Sequence, residues 1–115
     1  LERLRTALQQ VRGTVQERPL LFVVLPSAWQ VDETKWRTRL RELGFEPSAF
    51  EFGLAQRRWL EVASELGIAA VDATPVLRAA GPTEVAFLAD GVHFSGTGNA
   101  ALAAWLADEV RSFWP

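Results

Sequence analysis

The stretch Leu20-Leu-Phe-Val-Val-Leu25 decides the fold class of this 115-residue chain. All six residues are apolar, and prolines at positions 19 and 26 bound them on both sides. A run this short between two prolines predicts a strand buried on both faces, which is typical of a parallel sheet in an α/β protein. Ligands bind outside the carboxyl ends of such strands. We therefore expect loop 26–30 to lie on the functional side of the sheet.

Amphipathic helices are predicted on both sides of this strand. Residues 2–17 carry apolar side chains at spacings of four, three and four, which is one stripe of a helix. The other predicted elements are a helix from the N-cap Asp32 to Leu43 stopped by Gly44, a helix from Ser48 to Leu66 opened by a Ser48–Glu51 capping box, strand 68–71, a helical segment at 74–80, and helix 99–113 with Ser95 as its N-cap.

The order of these elements predicts an α/β fold with a three-layer, flavodoxin-like parallel sheet and helices on both faces. Two strands alone make a poor core, because each needs neighbours at its edges. We therefore expect residues 1–115 to be a single domain or the C-terminal fragment of one, with an apparently incomplete sheet. The upstream half of the same domain, another chain or a second copy in a homo-oligomer would complete that sheet.

Composition argues against several classes of function. The net charge is −2, so there is no basic footprint for nucleic acid. No apolar run reaches the roughly 18 residues expected of a membrane span. With one histidine, no cysteine and no carboxylates at ligand spacing, we predict neither a metal site nor a cofactor.

The motif Asp90-Gly-Val-His93-Phe-Ser95-Gly-Thr-Gly98 holds the only histidine and precedes the last predicted helix. A carboxylate and an imidazole on one short loop can share a hydrogen bond, which fixes the imidazole tautomer and stabilises the imidazolium. The two side chains are two thirds of a hydrolytic triad that lacks its nucleophile. The alternative is that Asp90 is a turn residue before Gly91 and His93 an ordinary loop residue.

Asp90, His93 and Gly98, followed by a C-terminal amphipathic helix, resemble the last conserved block of the SGNH (GDSL-type) esterases and acyltransferases. The segment from Gly67 to Leu77 is also similar to relatives that acetylate bacterial polysaccharides. The resemblance implies that His93 is the general base for a serine nucleophile and that Asp90 orients it. It also implies an acyl-ester or acetylated carbohydrate substrate and a location outside the cytoplasm.

The chain departs from this family in two blocks. The Gly-Asp-Ser that carries the nucleophile is absent, and so is the Gly-x-Asn-Asp that supplies an oxyanion donor. We therefore expect the serine to lie outside this chain and the isolated chain to be inactive. Ser27 and Ser95 are the alternative nucleophiles, although Ser27 lacks the Gly-x-Ser-x-Gly elbow and Ser95 occupies a helix N-cap position.

Two further residues near the motif have predicted roles. Trp29 is a candidate for the wall of a substrate site, with an ordinary half-buried aromatic as the alternative. Gly98 is expected to permit close packing of the last helix against its neighbour. A different class of function also stays open, in which the chain is a non-catalytic α/β module for assembly or binding.

Overall fold

The computed structural model describes residues 1–114. Along the chain the elements are α1 Glu2–Val15, β1 Leu21–Val24, α2 Ala28–Val31, α3 Glu33–Glu42, a 3₁₀ turn Pro47–Ala49, α4 Leu54–Glu65, β2 Ala69–Asp72, α5 Thr74–Ala79, α6 Thr83–Ala86 and α7 Gly96–Phe113. Strands β1 and β2 pair in parallel, with Leu21 opposite Ala69 and Val24 opposite Asp72. The predicted mixture of helices with parallel strands is confirmed.

Residues 1–24 and 53–72 form one compact unit, which contains α1, β1, α4 and β2. Helix α4 packs on both strands, and α1 packs on α4. The apolar cluster between them has Leu8, Val62, Ala63 and Ile68 at its centre, with Phe22 and Ala70 packed against it. Because side chains alternate along a strand, the paired residues Phe22 and Ala70 point to the helical face of the sheet.

Strand β1 is less buried than its sequence predicts. Only Val24 is buried, whereas Leu21, Phe22 and Val23 are half-buried, and Leu25 beyond the strand is 51% exposed. Burial on both faces requires a covering layer on each side and a neighbour at each edge. The sheet of residues 1–114 has two strands, so each strand has one neighbour.

Residues 25–52 and 73–114 form the second unit, which contains α2, α3, α5, α6 and α7. Its core is a cluster of small and medium apolar side chains, against which Leu102 and Trp105 of α7 pack. The buried members are Ala28, Val31, Ala73, Leu77, Ala86 and Phe87. The small residues in this set let short helical segments approach one another closely.

The single helix predicted from Ser48 to Leu66 is wrong. The chain makes a 3₁₀ turn at Pro47–Ala49, is extended at Phe50 and begins α4 only at Leu54. Glu46, rather than Glu51, accepts the hydrogen bond from the Ser48 amide, at 3.3 Å. Gly53 has φ of 79°, a left-handed conformation that cannot lie inside a right-handed helix.

The predicted N-caps Asp32 and Ser95 and the predicted helix stops Gly44 and Gly67 are confirmed, whereas the helix predicted at 2–17 ends at Val15 and the helix predicted at 99–113 begins at Gly96. Asp32 caps α3 by accepting from the Lys35 amide at 3.0 Å, and Ser95 caps α7 by accepting from the Gly98 amide at 3.1 Å. Gly44 and Gly67 follow α3 and α4 with φ of 80° and 64°, the conformation of a glycine that ends a helix. None of the helices within residues 1–114 is both long and apolar enough to cross a membrane.

Candidate functional site

Residues 86–95 form a closed loop that carries both Asp90 and His93. At its base, the Ser95 amide donates to the Ala86 carbonyl at 3.0 Å, and Phe87 and Phe94 form an antiparallel bridge with their ring centroids 5.1 Å apart. Further along, the Leu88 amide donates to the His93 carbonyl at 2.8 Å. Since Phe87 is 3% exposed, this loop is anchored in the core of its unit.

Asp90 and His93 form the hydrogen bond that the motif predicts. The His93 Nδ1 atom lies 2.6 Å from Asp90 Oδ2, within the distance of a charge-assisted hydrogen bond. A carboxylate only accepts, so Nδ1 carries the proton and Nε2 keeps its lone pair. The His93 side chain is 75% exposed. The pair therefore presents an oriented imidazole with an accessible base nitrogen.

The second oxygen of Asp90 holds the loop itself. Asp90 Oδ1 accepts from the His93 amide at 3.0 Å and from the Val92 amide at 2.9 Å. The backbone N–H of His93, the His93 ring and the Val92 N–H together lower the pKa of Asp90 from 3.8 to about 2. All three donate to the ionised carboxylate, and hydrogen bonding to the charged form favours that form. Asp90 is therefore fully ionised above about pH 4.

This arrangement predicts a definite pH dependence for the loop. Because the pKa of Asp90 is about 2 in the folded chain and 3.8 for an unconstrained aspartate, its stabilisation of the loop is complete above about pH 4. It is lost as the pH falls through about 2. We expect the Val92 and His93 amide resonances to move together with a midpoint near 2 in an NMR titration. A titration midpoint near pH 4 for the Asp90 carboxyl group would contradict these hydrogen bonds.

The turn between Asp90 and His93 rests on the short helix α2. Gly91 has φ of 68°, and its carbonyl accepts from the Ala28 amide at 2.8 Å. A Cβ atom at position 91 would lie 3.1 Å from the ring of Trp29. Trp29 therefore lies directly beneath the turn, so at least part of its ring supports the loop rather than facing open solvent.

Gly91→Ala is expected to loosen the Asp90–His93 pair. Alanine in a left-handed conformation costs about 1–2 kcal/mol, and at this position it must also displace the Trp29 ring. We expect the pKa of Asp90 to rise from about 2 towards 3.8, because both amide donors move with residue 91. Gly44→Ala is the matched control, since Gly44 has φ of 80° and open space around it. Equal effects of both substitutions on the pKa of Asp90 would contradict a role for the Trp29 contact.

The two serines considered as nucleophiles both have local structural roles. Ser95 donates to the Val85 carbonyl and accepts from the Gly98 amide, so its hydroxyl holds the start of α7. The Ser27 hydroxyl and the Ser27 amide both donate to Gln30 Oε1, at 3.2 and 2.8 Å, which fixes the start of α2. Each hydroxyl is therefore engaged in hydrogen bonds at the start of a helix.

Gly98 has the packing role that its position predicts. It is buried in the first turn of α7, where a Cβ atom would lie 2.0 Å from the carbonyl oxygen of Ala86. That distance is far below van der Waals contact, so only glycine lets α7 approach α6 this closely. The approach sets where α7 begins, immediately after the loop that carries Asp90 and His93.

A cavity of about 380 Å³ lies against the same loop and was not predicted from the sequence. Trp29, Leu88 and Gly91 are among the residues that line it. That Trp29 forms the wall of a substrate site stays a prediction. Lys35, Thr83 and Glu84 come from α3 and α6 and form its polar part. Thr83 and Glu84 lie 48 and 49 residues from Lys35 along the chain, so no short motif in the sequence indicates this grouping.

Among residues 1–114, no group of three or more histidine, cysteine, aspartate or glutamate side chains is placed to hold a metal ion. Comparison of the chain with protein-family models, with curated proteins and with solved structures finds no match.

Proposed function

We propose that Asp90 and His93 are the orienting acid and the general base of a Ser-His-Asp triad in an acyl-transfer enzyme of the SGNH type. The observation that carries the proposal is the 2.6 Å contact between His93 Nδ1 and Asp90 Oδ2. The His93 side chain is otherwise 75% exposed, so its Nε2 is not needed for this contact and is available to a substrate or nucleophile. A base so oriented can take a proton from a hydroxyl group placed against Nε2.

The proposed reaction follows from the tautomer of His93, in which Nδ1 carries the proton and Nε2 has the lone pair. Nε2 takes the proton of a serine hydroxyl while the serine oxygen bonds to the ester carbonyl carbon. The imidazolium then gives this proton to the leaving alkoxide as the carbon–oxygen bond breaks, which leaves an acyl-serine. Water or a sugar hydroxyl attacks the acyl group in the second half-reaction and loses its proton to Nε2. The imidazolium then returns this proton to the serine oxygen as the acyl–serine bond breaks, which restores the serine. Asp90 stays ionised throughout and stabilises the imidazolium.

We assign the nucleophile to a serine outside these 115 residues. Support comes from Ser27 and Ser95, whose hydroxyls are engaged in capping α2 and α7. Support also comes from the sequence, which lacks the Gly-Asp-Ser block of the family. An acyl ester or an acetylated carbohydrate is the proposed class of substrate.

The same proposal gives the sheet further strands, as part of a three-layer, flavodoxin-like domain. Within residues 1–114, each of the two strands has one neighbouring strand. Leu25, the residue that follows β1, is 51% exposed. Bare strand edges beside apolar surface associate readily. The upstream half of the same domain, another chain or a second copy would supply both the strands and the serine. These edges equally favour the second candidate, a non-catalytic module that uses the sheet for assembly.

A fluorophosphonate probe separates the two candidates, because it reacts with a serine that a histidine base activates. We expect the native assembly, purified from its source, to be labelled on a serine outside residues 1–115. The isolated 115-residue chain should not be labelled, since Asp90 and His93 then have no hydroxyl to activate.

Two outcomes would overturn the proposal in different ways. Stoichiometric labelling of the isolated chain would assign the nucleophile to one of its own serines, with Ser27 and Ser95 the first to be replaced by alanine. An unlabelled native assembly, under conditions where a known serine hydrolase reacts fully, would favour the non-catalytic module.

A further inference from the structure

The cavity beside the loop differs in its chemistry from one side to the other. Most of its wall is apolar, and the residues that form it come from α2 and from the 86–95 loop: Ala28, Trp29, Phe87, Leu88, Ala89 and Gly91. Ala28 and Phe87 are buried, whereas Leu88 is 53% exposed. The wall therefore runs from the core of the unit to its surface.

The polar side chains that line the cavity already have hydrogen-bond and ion-pair partners within the chain. The Lys35 ammonium group pairs with the Glu84 carboxylate and donates to the buried Thr83 hydroxyl. Because the cation and the anion compensate each other, this side presents no free charge to a ligand. A charged ligand would have to compete with an existing ion pair, whereas a neutral one would not. The lining thus selects an uncharged, predominantly apolar occupant.

The cavity is lined by Leu88, Ala89 and Gly91 of the loop that holds the candidate base, whereas Asp90 and His93 are not among its lining residues. Gly91 lines the cavity and is the residue next to Asp90, and its peptide group separates Asp90 from Val92. A substrate that reacts at the Asp90–His93 pair would therefore have an apolar recess on the same loop. A volume of about 380 Å³ lies within the range of small-molecule sites, and a two-carbon acetyl group would leave most of it unfilled.

From these features we infer that the cavity holds the acyl chain of the substrate, and that this chain is neutral and longer than acetyl. The inference rests on the proposed acyl-transfer function. Of the two proposed classes of substrate, the cavity favours an ester of a longer carboxylic acid over an acetylated carbohydrate. The apolar wall stabilises each additional methylene group by removing it from water, so selectivity is expected to increase with chain length until the cavity is full.

Binding of methyl n-alkyl ketones tests the inference without any need for catalysis. These ketones carry the carbonyl and the alkyl chain of an ester but cannot be hydrolysed. With the isotope-labelled 115-residue chain, we expect saturable NMR shifts at the Leu88, Ala89 and Gly91 amides. Affinity should rise about fourfold for each added CH₂ from propanone towards 2-nonanone and then level off.

Ala89→Trp is the blocking variant, because Ala89 is exposed and lines the cavity. It should weaken 2-octanone binding at least tenfold, and Leu88→Ser should weaken it by a smaller factor. Ala104→Trp is the matched control, since Ala104 is exposed on α7 and does not line the cavity. It should leave binding unchanged.

Three results would overturn the inference: an affinity that does not change with chain length, shifts spread over other surfaces, or undiminished binding by the Ala89→Trp variant in a folded state. The test is also separable from that of the proposed function. Chain-length selectivity in a protein whose native assembly transfers no acyl group would reject the enzyme and keep the apolar site. Acyl transfer without chain-length selectivity would reject the acyl-chain assignment alone.

Discussion

Replacing His93 with alanine is expected to lower acyl transfer by the native assembly ~10³-fold or more, because the serine then has no group to take its proton. The measurement is turnover of a series of nitrophenyl esters. The fold should be unaffected, since the His93 side chain is 75% exposed. Val92→Ala is the matched control, because Val92 is 54% exposed on the same turn and contributes its amide rather than its side chain.

Asp90→Asn provides the second measurement on the same pair. An asparagine can donate to Nδ1, which would leave the proton on Nε2 and remove the base. It should therefore reduce turnover by a factor similar to or smaller than that of His93→Ala. Full activity of the His93→Ala protein would contradict the assignment, and the resemblance to the SGNH enzymes would then be one of fold alone.

Gly98→Ala is expected to destabilise the chain by about 3 kcal/mol or more, a lowering of Tm by about 10 °C or more. The added methyl group would meet the Ala86 carbonyl oxygen at 2.0 Å. The backbone fixes the position of both the Cβ atom and the carbonyl oxygen, so no rotamer change can relieve the contact. Urea denaturation or a thermal melt followed by circular dichroism gives the magnitude.

Gly96→Ala is the control for this substitution, because Gly96 lies in the same first turn of α7 and has open space around its Cα. Its effect on the free energy of unfolding should be within about 1 kcal/mol. Equal effects of the two substitutions on the free energy of unfolding would contradict a specific role for the approach of α7 to Ala86.

Local signals account for most of what could be predicted from the sequence. A strand between two prolines, the caps Asp32 and Ser95, and the helix stop at Gly67 depend on chemistry within a few residues, and each is present. The hydrogen bond between Asp90 and His93 belongs to the same class, because three positions separate the two residues.

The features that the sequence did not predict depend on backbone conformation or on distant contacts. Gly53 adopts a left-handed conformation that divides the predicted helix 48–66, although its neighbours have ordinary helix propensity. The support of Gly91 by Trp29 and the pairing of Lys35 with Glu84 join residues about 50 or more positions apart. No periodicity or short motif reports such contacts. The low burial of β1 likewise depends on what covers the sheet rather than on the apolar character of the strand.

The short sequence separation between Asp90 and His93 has a kinetic consequence. Closing a turn of a few residues requires little loss of chain entropy and takes place in well under a microsecond, far sooner than distant strands can pair. The imidazole can therefore adopt its tautomer early in folding, before any partner segment arrives. Under the proposed function, the slow step in acquiring activity is the encounter that delivers the serine. Activity on refolding should then follow the rate of strand association, and should depend on concentration if the serine comes from another chain.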